Sequence, residues 1–188
     1  MLVLWLPTRE QLVAGPFVLL TPLVLALMRQ PTRDALGLTW RGFVRSLWVL
    51  PAAAALGFAG LLAARYIGTF HLLNDHAPSH MMGYVLWTIY QQFLLQNYFM
   101  PRLTRCLSSN AGVVVTTALF AIAHLPNLPL TLATLVWGAV SCLLFRRYKS
   151  LLVLGLAQGL LGLCFGMCVP DGMIHHMRVG LGYWRYHG

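Results

Sequence analysis

Gln91, Gln92, Gln96, His124 and Gln158 lie inside largely apolar stretches and have side chains that could do chemistry. Gln92 and Gln96 are one helical turn apart, so they can bond each other or a partner across a pocket. An amide donates and accepts hydrogen bonds but cannot act as a base in any useful pH range. The imidazole of His124 can. The acids Glu10, Asp34, Asp75 and Asp171 all fall in expected loops or helix ends. Ionisable groups deep in a membrane mark pumps, transporters and proteases, and here that marker reduces to His124. Interhelical hydrogen bonding and recognition of a lipid, isoprenoid or peptide backbone are both open to the four glutamines. His124 suits a satisfied core position, a site role or an axial ligand to a pigment or metal.

A second cluster, Asp171, His175, His176 and His187, is open to a surface metal site, but its place in a loop favours none. Cys106, Cys142, Cys164 and Cys168 show no CxxC spacing, and they read as small buried apolar side chains. No metal or cofactor is expected. From Arg178 to Tyr186 aromatic residues alternate with arginines. That mixture fits either an interfacial anchor or a docking surface for another membrane protein.

The elements that must position these groups follow from composition. The chain has 188 residues, 59% hydrophobic and 9% charged, with a mean hydropathy of +0.71. A soluble domain carries about 25% charged residues, so disorder, a disulfide scaffold and an ordinary soluble enzyme are excluded. The net charge of +9 would suit nucleic acid if it lay on one face. It sits between apolar runs instead, which fits loop charge against anionic lipid and no nucleic-acid partner.

An all-α, polytopic membrane helix bundle is therefore expected, with about six spans of about 20 residues each. They run from about Gln11 to Met28, Ser46 to Ala64, Met81 to Phe99, Gly112 to His124, Leu128 to Phe145 and Leu151 to Val169. The first lacks a cleavage site and reads as a helix that is kept. A single membrane domain results: two N-terminal helices over 10–64, a four-helix core over 81–169 and an extramembrane tail over 170–188. Nine basic residues fall on the side of the 1–2, 3–4 and 5–6 loops and four on the other. The positive-inside bias then puts the nine in the cytoplasm and both termini outside. Gly155, Gly159, Gly162 and Gly166 give the sixth span a small-residue face for close packing. Gln92, His124 and Gln158 each lie roughly 10–18 Å from the same face at 1.5 Å per residue, a depth at which they could share one pocket.

The ordered set Gln91-Gln92-xxx-Gln96, Phe120-xxx-His124 and Gln158-xxx-Gly162 resembles the CPBP family, the CAAX-protease and bacteriocin-processing membrane proteins. The resemblance covers about Tyr84 to Leu163. That family carries Glu-Glu-xxx-Arg, Phe-xxx-His and His-xxx-Asn or His-xxx-Asp. The resemblance implies a water-activating glutamate, with histidines and the Asn or Asp holding water and oxyanion. In this chain Gln91 and Gln92 stand for the glutamate pair, Gln96 for the arginine, Gln158 for the second histidine and Gly162 for the Asn or Asp. Phe120 and His124 are kept. Losing glutamate and arginine together removes both charges, where losing one would strand the other in a low-dielectric site.

The expected function is that of a CPBP-like membrane protein that has lost glutamate-dependent proteolysis. It would act as a binding, scaffolding or accessory subunit, with a membrane protein partner and a possible lipid, isoprenoid or peptide ligand. The alternative is a membrane enzyme, such as a CAAX-type peptidase, with His124 as its general base and Gln92 as an oxyanion donor. A pigment protein is a third possibility.

Overall fold

The computed structural model describes residues 2–29, 32–73 and 78–185. Of the residues singled out above, Asp75, Tyr186 and His187 lie outside them. A short 3-10 turn at Leu2–Trp5 leads into α1 (Thr8–Arg29), α2 (Trp40–Ser46) and α3 (Val49–Ile67). Helix α4 (Pro78–Phe93) continues through a π-helical stretch, Leu94–Phe99, into α5 (Met100–Cys106). Then come α6 (Ser109–Ile122), α7 (Leu128–Tyr148), α8 (Leu151–Cys168) and two single-turn helices, α9 (Asp171–Ile174) and α10 (Leu181–Trp184). The architecture is an all-α polytopic bundle.

Among the described residues four runs are long and apolar enough to cross a membrane: Arg9–Met28, Trp40–Ile67, Leu128–Tyr148 and Leu151–Cys168. Their outer faces are apolar, as the exposure of Leu12, Phe17, Phe58 and Val136 shows. The other two expected spans are helices but fall short of that standard. The third carries the three glutamines. The fourth, α6, has 14 residues, about 21 Å of helix against a hydrocarbon core of about 30 Å.

The widened turn at Leu94–Phe99 has a local cause. Pro101 lacks an N–H, and its ring crowds the carbonyl four residues earlier, that of Asn97. A shift to i→i+5 bonding relieves this, and the N–H of Met100 bonds the carbonyl of Leu95. The turn places Leu95, Gln96 and Asn97 inward, all fully buried. Asn97 Nδ2 then donates to the carbonyl of Leu36 at 3.3 Å.

Helix α8 is the bundle's central element, flanked by α3 and α4. Its glycines make this possible. A Cβ on Gly155 would stand 2.7 Å from Ile89 Cα, and one on Gly159 would stand 3.1 Å from Thr88 Oγ1. On the other side Cys164 Sγ lies where a Cβ on Gly57 of α3 would be, 2.7 Å away. Cys164 and Cys168 are free thiols packed against α3; Cys142 and Cys164 are buried as expected, whereas Cys168 is half-buried and Cys106 is exposed. The α1–α2 connection is pinned on the turn between α7 and α8. The N–H of Leu151 bonds the carbonyl of Gly37 at 2.8 Å, and Gly37 has φ +72° with the Phe145 ring where a Cβ would stand.

Beyond α8 the chain folds back against the α6–α7 junction. Asn127, fully buried, caps α7 through Oδ1 to the N–H of Leu130 at 3.2 Å. Its Nδ2 donates to the carbonyls of Ile174 at 2.7 Å and Arg178 at 3.2 Å. The N–H of Gly180 bonds the carbonyl of Leu125. One side chain thus holds both a helix start and the tail. Asn127→Ala removes a cap worth about 1 kcal/mol and strands buried carbonyls at about 1–3 kcal/mol. We expect a loss of about 2–4 kcal/mol, read by thermal unfolding, with faster proteolysis after Asp171.

Candidate functional site

The glutamines of α4 meet Gln158 of α8 in one continuous network. Gln92 Nε2 donates to Gln158 Oε1 at 2.7 Å, and Gln96 Nε2 donates to Gln92 Oε1 at 3.0 Å. Gln158 Nε2 donates to Gln91 Oε1 at 2.5 Å. Helix α7 adds two further groups to the network. Trp137 Nε1 donates to Gln158 Oε1 at 3.1 Å, and Ser141 Oγ lies 3.4 Å from Gln96 Nε2 while donating to the carbonyl of Gly138 at 3.1 Å. Gln92, Gln96 and Ser141 are fully buried, and Gln158 is 9% exposed.

The geometry follows from the helices. Gln92 and Gln96 project from one face of α4 and its π-helical extension. Close packing of Gly155 on Ile89 brings α4 and α8 near enough for two short amides to touch. Thr88 Oγ1 reinforces the crossing by donating to the carbonyl of Gly155 at 2.9 Å. Each amide acts as donor and acceptor at once, so the network runs in one sense, from Gln96 through Gln92 and Gln158 to Gln91. Both acceptor positions on Gln158 Oε1 are filled. Gln96 Oε1 takes no hydrogen bond from an oxygen or nitrogen donor, and its neighbour Cys142 offers only a weak S–H donor.

His124 stands apart from this network. It follows the last turn of α6, and its Nδ1 bonds the carbonyl of Phe120 at 2.7 Å. Because a carbonyl only accepts, Nδ1 carries the proton and Nε2 keeps its lone pair. The ring packs edge-on against Phe120, with centroids 5.0 Å apart, and Phe120 in turn packs on Gly138. Among the described residues no hydrogen bond joins His124 to a glutamine. Depth alone made a shared pocket possible; the turn of the ring back toward Phe120 keeps the imidazole out of the amide network.

Among the described residues no carboxylate touches the network. Glu10 lies in the first turn of α1, and Asp34 lies in the α1–α2 connection. Asp171 Oδ1 pairs with His176 Nδ1 at 2.8 Å and accepts from the N–H of His176. His175 stacks on Tyr183 at 4.0 Å between centroids. Among the described residues no group of three or more His, Cys, Asp or Glu side chains converges as a metal site would require. Trp137 and Ser141 were not singled out in the sequence. Their signal was two polar atoms four residues apart on an apolar helix, on the face that also carries Gly138.

Fold and site together define a multi-pass integral membrane helix bundle with a neutral polar centre. The family model described as Rce1-like, type II CAAX prenyl endopeptidase Rce1-like, matches residues 77–164. That segment holds Gln91, Gln92, Gln96, His124 and Gln158, and the match supports the resemblance to the CPBP family that the motifs carry. No curated protein and no solved structure matches the chain.

Proposed function

We propose that this CAAX protease-like membrane protein does not cleave by a glutamate-activated water and instead works as a binding or accessory subunit of a membrane assembly. One observation carries the reading: the positions of the family's glutamate pair, arginine and second histidine form one continuous hydrogen-bonded chain of amides. Peptide hydrolysis needs a group that takes a proton from water, and general-base catalysis supplies about 10²–10⁴-fold. An amide supplies none of it. What amides offer is a neutral, two-way hydrogen-bonding surface, suited to a peptide backbone or a lipid carbonyl. In a bilayer such contacts are worth about 0.6–2 kcal/mol each, enough to orient a ligand or hold helices in register.

The nine basic residues on one side support placing that side in the cytoplasm, with the termini opposite. Native purification in mild detergent tests the accessory role. A companion membrane protein at fixed stoichiometry is expected. A lone monomer from the native membrane, with no companion and no bound lipid or peptide, contradicts it.

A further inference from the structure

At one end of the bundle a cavity of about 480 Å³ opens between α5, α6, the end of α7 and the α1–α2 connection. Arg105, Arg146 and Lys149 line it, together with Thr32 and Ser109, and Gln96 lines it as well. Met100, Pro101 and Phe145 supply its apolar wall. The volume is within the range of small-ligand sites, about 300–1,000 Å³. Three cations therefore ring one opening, and among the described residues none of them forms an ion pair. Arg146 Nη1 reaches only the neutral Asn110 Oδ1, at 3.4 Å, and Lys149 Nζ lies 5.0 Å from the Phe145 ring centroid. Ser109 is the first residue of the 14-residue α6, whose N-terminal dipole adds positive potential there. Like charges crowded without a counter-ion repel one another, and an anion between them relieves that.

A second observation concerns Gln96. It is fully buried, lines the cavity, and keeps its Oε1 without an oxygen or nitrogen donor. A buried acceptor left unpaired carries its desolvation penalty without a compensating bond. A ligand that brings a hydroxyl beside its phosphate satisfies it.

We infer that this cavity binds a phosphate ester whose adjoining organic group carries a hydroxyl, with phosphate at Arg105, Arg146 and Lys149 and the hydroxyl toward Gln96. The same chemistry exists in a phosphatidylglycerol head group and in soluble glycerol 3-phosphate. The inference stands independently of whether the amide network retains any catalysis. Each cation near a membrane surface strengthens attraction to anionic lipid by about five-fold, so the three together contribute on the order of 100-fold, less what salt screens.

The test uses the whole protein in detergent, titrated with dioleoylphosphatidylglycerol, dioleoylphosphatidic acid and glycerol 3-phosphate while native mass spectrometry counts bound molecules. We expect one saturable phosphatidylglycerol per chain. Arg105→Gln/Arg146→Gln/Lys149→Gln weakens it at least ten-fold. Arg9→Gln/Arg65→Gln/Arg185→Gln, which removes equal charge at residues that do not line the cavity, weakens it less than three-fold. Gln96→Leu removes the preference for phosphatidylglycerol over phosphatidic acid, and Arg105→Gln alone weakens binding about three- to ten-fold. Competition by glycerol 3-phosphate assigns the site to a soluble ester, and its failure to compete assigns it to the lipid. Equal weakening by both triple variants, or no saturable binding of either ester, overturns the inference.

Discussion

Gln92→Glu is expected to destabilise the folded protein by about 3 kcal/mol or more at neutral pH. Gln92 is fully buried and gives its Nε2 proton to Gln158 Oε1 at 2.7 Å. A carboxylate has no proton to give, so two acceptor oxygens would face each other. Gln158 relieves that clash only by turning its amide, which breaks its bonds to Gln91 and Trp137. The larger cost is the charge. Breaking a buried ion pair, which leaves one charge without its partner, costs about 3–5 kcal/mol, and among the described residues no arginine is hydrogen-bonded to these amides. Gln92→Glu/Gln96→Arg returns a counter-charge four residues away, and we expect it to recover at least 1 kcal/mol of the loss. Thermal unfolding in detergent of the parent, the single and the double variant reads both effects. A single variant as stable as the parent would show that the centre tolerates charge.

Gly155→Val is expected to be at least as damaging. A Cβ there meets Ile89 Cγ1 at 2.6 Å and Ile89 Cα at 2.7 Å. The second contact is backbone, so no rotamer change relieves it, and α8 must move off α4. Overpacking costs about 1–3 kcal/mol by itself. The displacement also breaks Thr88 Oγ1 to the carbonyl of Gly155 and separates Gln92 from Gln158, each buried bond worth about 1 kcal/mol. We expect a loss of about 3–5 kcal/mol. Gly172→Val is the control: open space surrounds that position, and its unfolding temperature should stay close to that of the parent.

Much of this centre was legible in the sequence because spacing constrains it. Gln92 and Gln96 four residues apart had to share a helix face, and the glycine spacing of α8 gave a face that a neighbour could approach closely. The contribution of α7 was not legible, since Trp137 reads as an apolar filler until Gln158 lies beside its N–H. Depth along an axis placed His124 near the glutamines, but depth does not fix the direction of a side chain that follows the end of its helix. Four of the six expected spans are individually long and apolar enough to cross a membrane among the described residues. Apolarity selects lipid-facing helices, and the helix bearing the glutamines spends its polar residues on the interior. The π turn had a visible cause in Pro101, but its effect on Gln96 depends on which carbonyl the proline displaces. The tail was read as an extramembrane segment. Its attachment through Asn127 joins residues 47 and 51 positions apart, a separation at which local pattern carries no information.

The central claim is that the polar heart of this bundle lacks a base for activating water, and peptide cleavage tests it most directly. The purified full-length chain is incubated with prenylated peptides and with leader-type peptides, alongside Gln91→Glu/Gln92→Glu/Gln96→Arg/Gln158→His and His124→Ala, and products are followed by mass spectrometry. We expect the unmodified chain to yield no product above the buffer blank. Sustained turnover by the unmodified chain that His124→Ala abolishes would contradict the account.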